Sequence, residues 1–366
     1  MELSMEQRCL LWLSSAEVSA SRVAELIAQF GSAQAVWERY QTSDRPLFSP
    51  KCKQILNDLY SDHQIDALIK HLEEKHVHLL FADDVDYPPL LREINDPPYL
   101  LYYAGQPECL KKPCIAIVGT RTPSDYGRHM AGKLASGLCE AGVTVVNGLA
   151  RGIDYAAHHG ALSVQGSTAG ILGSGINNPY PSEHTPLLRQ IARSNGIIIS
   201  EYPLDAAPMP FHFPYRNRII SGCCIGTIFV EGRIKSGGMH TVSSALDQGR
   251  EVFAVPGQTG YLGAEGPLAI MREGARLITS AEDVLEDLSM SPLVHTIPPS
   301  KADVAEPLPD LQQSILKALR IQPLTLDELI ERLKTSPEEI LTETSIMEIS
   351  GLIRREAGNA YAIANQ

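Results

Sequence analysis

The sequence predicts an α/β protein built on a doubly wound, mainly parallel sheet, with a small all-helical domain before it and a winged helix after it. Three observations carry this reading. Six short runs recur between residues 115 and 255, each apolar throughout, as strands covered on both faces are. They are Ile115–Val118, Val143–Val146, Ala169–Leu172, Ile197–Ile199, Thr227–Val230 and Val252–Val255. Helical stretches separate most of them, which is the beat of βαβ units. Glycine loops punctuate the runs, and in such sheets a ligand lies at the carboxyl ends of the strands.

The chain has 366 residues, more than one ordinary core accommodates. Residues 1–80 read as a helical domain of helix-hairpin-helix or SAM-like type. Val18, Val23, Leu26, Ile27 and Phe30 keep helical spacing, and Phe30-Gly31-Ser32 supplies a C-cap followed by a new N-cap. Its hairpin position, Glu17–Ser21, has no glycine to bring backbone amides to a phosphate, which favours a packing or interaction role. Asp83–Pro89 and Asp96-Pro97-Pro98 break any helix and read as an entry segment into the central domain, 81–288. A Pro-rich linker is expected over 289–309. The last domain, 310–366, shows helices at 311–319, 326–333 and 337–349 and a hairpin turning at Gly358-Asn359, a winged helix. The third helix carries Glu338, Glu339, Glu343 and Glu348 and no Lys or Arg, so it repels phosphates and suits protein contact better than DNA.

The net charge is -12, which argues against wholesale coating of nucleic acid. Residues 113–290 hold 13 Lys+Arg against 15 Asp+Glu, so an anion site must be local. The start lacks a basic n-region and no apolar run reaches membrane-spanning length. None of the seven cysteines forms a CxxC pair. These features predict a cytoplasmic protein without a membrane partner, its thiols reduced and structural.

The loops hold the chemistry. Gly119-Thr120-Arg121-Thr122-Pro123-Ser124 follows the first run and opens a helix, an anion cradle of backbone amides with Arg121 as a charged fork. Gly148 and Gly152 bracket Arg151 after the second run, with Asp154 as a cap for the next helix. His158 reads as a packed histidine rather than a catalytic one. Gly173-Ser174-Gly175 follows the third run. Phe213-Pro214-Tyr215-Arg216-Asn217-Arg218 suits single-stranded nucleic acid, since guanidinium groups take phosphates and rings stack on bases. The same arginines can instead form ion pairs with Glu201 or Glu231. Lys235-Ser236-Gly237-Gly238 makes a further cradle before a helix. No GxGxxG, P-loop, metal-ligand cluster or GxSxG elbow is present, so no cofactor or metal is expected.

Together the loops resemble the DNA-processing protein A (DprA, or Smf) family. The matching segments include IAIVGTR with S-x-YG at 115–127, VVNGLARGID-x-x-AH at 145–158, LGSGI-x-x-x-YP at 172–181, SEYP at 200–203, FPYRNRIISG at 213–222, VEGRIKSGGMHT at 230–241 and GREVFAVPG at 249–257. The resemblance implies an extended Rossmann-like fold that binds single-stranded DNA without catalysis, pairs into a homodimer through that domain and loads RecA recombinase during natural transformation. Carried over, it assigns DNA contacts to Gly119, Thr120, Arg121, Ser124, Gly148, Arg151, Gly152, Phe213, Arg216, Asn217, Arg218, Lys235, Ser236 and Gly237. The chain departs from the family at Gly238-Met239-His240, at Leu268 and at Cys223-Cys224, which touches the rim of the groove.

The competing reading is a nucleotide phosphoribohydrolase on a related fold. That signature, Pro-Gly-Gly-x-Gly-Thr-x-x-Glu, places a glutamate for acid–base work. Here Ser244 stands in the glutamate's place, and the carboxylate is missing.

Overall fold

The computed structural model describes residues 2–41, 47–289, 309–319, 323–350, 352–355 and 360–363. The chain divides into two compact units, 1–296 and 297–366.

The first unit opens with α1 (Met5–Ser15), α2 (Ala20–Phe30), α3 (Ala33–Arg39), α4 (Pro50–Asp58) and α5 (Asp62–Glu74). Each starts on a serine whose side chain accepts a backbone N–H from the first turn: Ser4, Ser19, Ser32, Ser49 and Ser61. Those caps satisfy donors a helix start leaves open. Gly31 closes α2 at φ 100 and Ser32 opens α3, as the sequence predicts. Trp12 is fully buried and donates to the Leu56 carbonyl at 2.9 Å. The helical core runs without a break into sheet residues Leu100, Tyr102 and Ile198 and into Leu149 of the loop after β4.

Nine strands form one sheet. They are β1 (His78–Phe81), β2 (Leu100–Gly105), β3 (Cys114–Val118), β4 (Thr144–Asn147), β5 (Thr168–Leu172), β6 (Ile197–Ser200), β7 (Gly226–Phe229), β8 (Glu251–Ala254) and β9 (Arg276–Leu277). Their order is β1-β2-β6-β5-β4-β3-β7-β8-β9, parallel from β6 to β9 and antiparallel at β1 and β2. All six apolar runs are parallel strands. The entry segment 83–98, read as a linker, lies between β1 and β2 and carries a short helix, α6 (Pro89–Arg92).

Helices α7 (Asp125–Glu140), α8 (Ile153–Ser163), α9 (Thr185–Arg193), α10 (His212–Gly222), α11 (Gly237–Asp247), α12 (Glu265–Arg272) and α13 (Ala281–Asp287) cover both faces. Ile115 and Ile117 of β3 pack with Leu134 of α7 and Ala157 of α8. Cys114, Ala116 and Val118 pack with Ile219 of α10 and Val242 of α11. This period-two division explains why the strand reads as apolar throughout. The winding reverses at β3, whose neighbours are β4 and β7, and the crevice there is the expected ligand position.

The second unit holds α14 (Asp310–Leu319), β10 (Leu324–Thr325), α15 (Leu326–Leu333), α16 (Pro337–Ile349), β11 (Ile353–Arg355) and β12 (Ala360–Ile363), with strand order β10-β12-β11. Thr325 and Glu328 form the capping box read from the sequence. Glu338, Glu339 and Glu348 of α16 are exposed. The Gly358-Asn359 turn and most of the 289–309 linker lie outside the described residues.

Candidate nucleic-acid interface

At the carboxyl ends of β3, β4 and β7 a groove of about 790 Å³ opens. Its walls come from five segments far apart in sequence. Gly119, Thr120, Arg121, Gly148, Phe213, Arg216, Asn217, Ser236 and Gly237 line it, so nine of the sequence-derived positions converge on one surface.

Arg216 forms its floor. One turn into α10, its side chain reaches back under the sheet edge and is 5% exposed. Nη1 donates to the carbonyls of Gly148, at 3.1 Å, and Ile171, and Nε donates to Asn217 Oδ1 at 3.3 Å. Burial lowers its pKa to about 10, against the pull of the Asp154 charge. The guanidinium therefore remains cationic at neutral pH, in a low-dielectric setting that strengthens its field. Asp154, also buried, accepts from the amides of Gly148 at 3.0 Å and Ala150 at 3.2 Å. Burial raises this carboxyl, and the amides, Arg216 and Arg121 oppose the rise. Asp154 thus braces the 148–150 loop.

Arg121 stands at the lip, exposed. Across the groove, α11 begins at Ser236 without a side-chain cap, and a Cβ on Gly237 would meet open space. The helix amides there have a path to solvent, and the Ser236 hydroxyl is buried with no partner among the described residues. An exposed cation, a buried cation and an open helix N-terminus on one groove make an anion track. Phe213 and Tyr180, ring centroids 5.4 Å apart, add aromatic faces to it.

The remaining positions lie elsewhere. Ser124 caps α7, but its hydroxyl donates to Glu231 Oε1 at 2.5 Å and its amide to Oε2 at 2.8 Å. The anion at that helix N-terminus is supplied by the chain itself. Gly152 has φ 78, and a Cβ there would stand 2.3 Å from the Thr120 carbonyl; it serves the contact between two loops. Arg151 lies in a recess beside the groove with Tyr180 and Phe213, held by Glu183 at 2.5 Å. Arg218 faces away from the groove. It grips Glu201 at 2.7 and 2.9 Å and Asp96 at 3.1 Å, and lies over the Tyr215 ring at 3.9 Å. Of the two carboxylates the sequence offered as partners, Glu201 takes it. Lys235 is exposed and does not line the groove.

Tyr180, Pro208, Pro210, His240 and Thr241 also line the groove and were not read as site residues. Tyr180-Pro181 and His240-Thr241 both stood inside the family-like segments, a signal that was available. His158 is fully buried, its Nδ1 2.7 Å from Thr168 Oγ1, as a packed histidine should be. Ser244 Oγ donates to the His240 carbonyl within α11. Among the described residues no cluster of side chains could hold a metal ion, and no helix is long and apolar enough to cross a membrane.

A family model described as DNA recombination-mediator protein A matches residues 78–289, and one described as the DprA winged helix domain matches 299–359. Protein Smf of Escherichia coli is 37% identical over 303 residues, covering 80% of this chain and 79% of that protein. DNA processing protein DprA of Bacillus subtilis is 40% identical over 236 residues, 64% of this chain and 79% of its own. The solved DprA from Streptococcus pneumoniae superposes with a TM-score of 0.65 at 32% identity, over 78% of this chain and 99% of that one. DNA processing protein A from Helicobacter pylori, solved for its single-stranded DNA binding mode, gives 0.53 at 26% identity over 59% and 96%. With its central domain matched by the family model and its length shared with these relatives, the chain belongs to the DprA/Smf family.

Proposed function

We propose that this protein binds single-stranded DNA in the groove at the carboxyl edge of its sheet, without chemistry, and passes the strand to a RecA-type recombinase. The observation that carries the reading is the pairing of buried Arg216 with exposed Arg121 on one groove. Arg216 is fixed by two carbonyls before any ligand arrives, so little ordering entropy is spent on it when a phosphate binds. Phe213 and Tyr180 give bases sequence-tolerant stacking faces. The named mode of the Helicobacter pylori relative, single-stranded DNA binding, supports the same ligand here, and the description of the matched family as a recombination mediator supports the hand-over. The protein acts in the cytoplasm as a homodimer joined through the Rossmann-like domain. Two grooves then engage one strand and raise its residence time.

Fluorescence anisotropy with a labelled oligonucleotide, single-stranded and duplex, across a salt series tests the groove. Tight, salt-dependent binding to the single strand, weakened in Arg121→Ala with a slope flatter by about one charge, is the expected result. Unchanged affinity and slope in that variant would sink the proposal. A strand-exchange assay with RecA and size-exclusion chromatography test the hand-over and the dimer.

A further inference from the structure

The groove shares a wall with a second cavity. Pro208, Pro210, Phe213 and Pro214 face the groove. Phe211, His212 and Tyr215 face a cavity of about 400 Å³ that lies against α1 and α2. One side is aromatic, with Tyr99 and Tyr202 joining those three, and the other is aliphatic, with Leu10, Val18 and Val23. His212 and Tyr202 already stack, centroids 3.9 Å apart. Phe211 stands 65% exposed.

The polar groups at this cavity decide what it can hold. Glu201 lines it but is committed to Arg218. Glu17, with its side chain 40% exposed and Oε2 3.6 Å from His212 Nε2, is the carboxylate at this cavity that is not paired with an arginine among the described residues. A carboxylate accepts hydrogen bonds and donates none, and it repels phosphate. The cavity therefore suits a flat, largely apolar ring bearing N–H donors, with any negative charge left outside. A nucleobase has that chemistry, and every base has a π-face for stacking.

The geometry points to this cavity as the seat of one unstacked base from the strand held in the groove, stacked on Phe211 and facing Glu17. The inference rests on the groove being a single-stranded DNA site. A strand leaving Phe213 needs to cross the 208–215 wall to reach it. The Glu17–Ser19 turn before α2, which lacks a glycine for phosphate contact, then serves DNA as a wall of the base seat, and the N-terminal helices become part of the footprint.

Anisotropy titrations with oligothymidylates of about 6 and about 16 nucleotides test this on the full-length protein. The variants are Phe211→Ala, which removes an exposed ring, and Val18→Trp, which fills the cavity from its half-buried aliphatic wall; thermal melts check that both fold. The expected result is about tenfold weaker binding of the long oligonucleotide in each variant, with the short one bound as by wild type. Wild-type affinity of Phe211→Ala for the long oligonucleotide would overturn the base seat while leaving the groove standing. Equal losses at both lengths would also overturn it, by placing these residues in the groove itself. Failure of wild type to bind either length would overturn the groove reading and this inference together, whereas loss of short-strand binding in Arg121→Ala upholds the groove separately.

Discussion

The Arg216 guanidinium fills the space that a side chain at Gly148 would need: a Cβ there would stand 2.5 Å from Nη2 and 2.9 Å from Cζ. The glycine thus makes room for the protein's own cation, which in turn donates to the Gly148 carbonyl at 3.1 Å.

Gly148→Ala should therefore displace Arg216 from the groove floor. Single-stranded DNA affinity is expected to fall about tenfold, the scale of one charge-assisted hydrogen bond. Anisotropy measured beside a thermal melt separates this from unfolding. Wild-type affinity in a folded Gly148→Ala protein would show that the guanidinium does not act on the ligand.

Arg218 should behave differently although it is two residues away. Burial raises the Glu201 carboxyl, and Arg218 opposes that rise. Arg218→Ala leaves a buried carboxylate without its counter-ion, so a stability loss of about 3–5 kcal/mol is expected. Urea denaturation reads the loss. The residual folded protein should keep the wild-type salt slope for DNA, because Arg218 does not face the groove.

Glu183 holds Arg151 in an exposed ion pair beside the groove, so on the proposed reading it would compete with a phosphate for that guanidinium. Glu183→Gln frees that guanidinium and should tighten single-strand binding by about threefold, as befits an exposed pair, with a steeper salt slope. The double variant with Arg151→Ala should erase the gain. A gain that persists in the double variant would place the effect elsewhere.

His158 predicts a pH dependence. Burial, followed by the charges of His159 and His184, lowers its pKa from 6.5 to about 3. The unfolded chain takes up a proton below about pH 6.5 and the folded chain does not, so stability falls as pH drops through that window. Between pH 7 and pH 5 this one group costs about 2 kcal/mol. Denaturation of wild type and His158→Gln at both pH values checks it: the variant's stability should fall less steeply with acid.

The central strands were legible because helices cover both faces of the sheet, so Ile115 and Cys114 are both buried and the run shows no polar gap. β9 was not legible, since two exposed residues, Arg276 and Leu277, carry no pattern. β1 and β2 were hidden in a stretch whose prolines dominate the reading. In the site, glycine spacing marked the loops that line the groove, but it could not say which glycine opens onto the groove and which packs against another loop. Arg216 and Arg218 read as one pair in the sequence, yet residues i and i+2 of a helix do not share a face, and that rule could have parted them. The role of Ser124 had no local signal. Its partner Glu231 lies 107 positions along the chain, and only the pairing of β3 with β7 brings them together.

The Glu231–Ser124 contact shapes more than the turn it closes. Two helices, α7 and α11, aim their N-termini at the same sheet edge. One is neutralised from within by a carboxylate, and the other ends in bare amides. A polyanion laid along this edge meets attraction that is graded from one helix to the other. The two helix starts therefore differ as anion sites: the cap of α7 is already occupied by a carboxylate, and that of α11 is open to the groove.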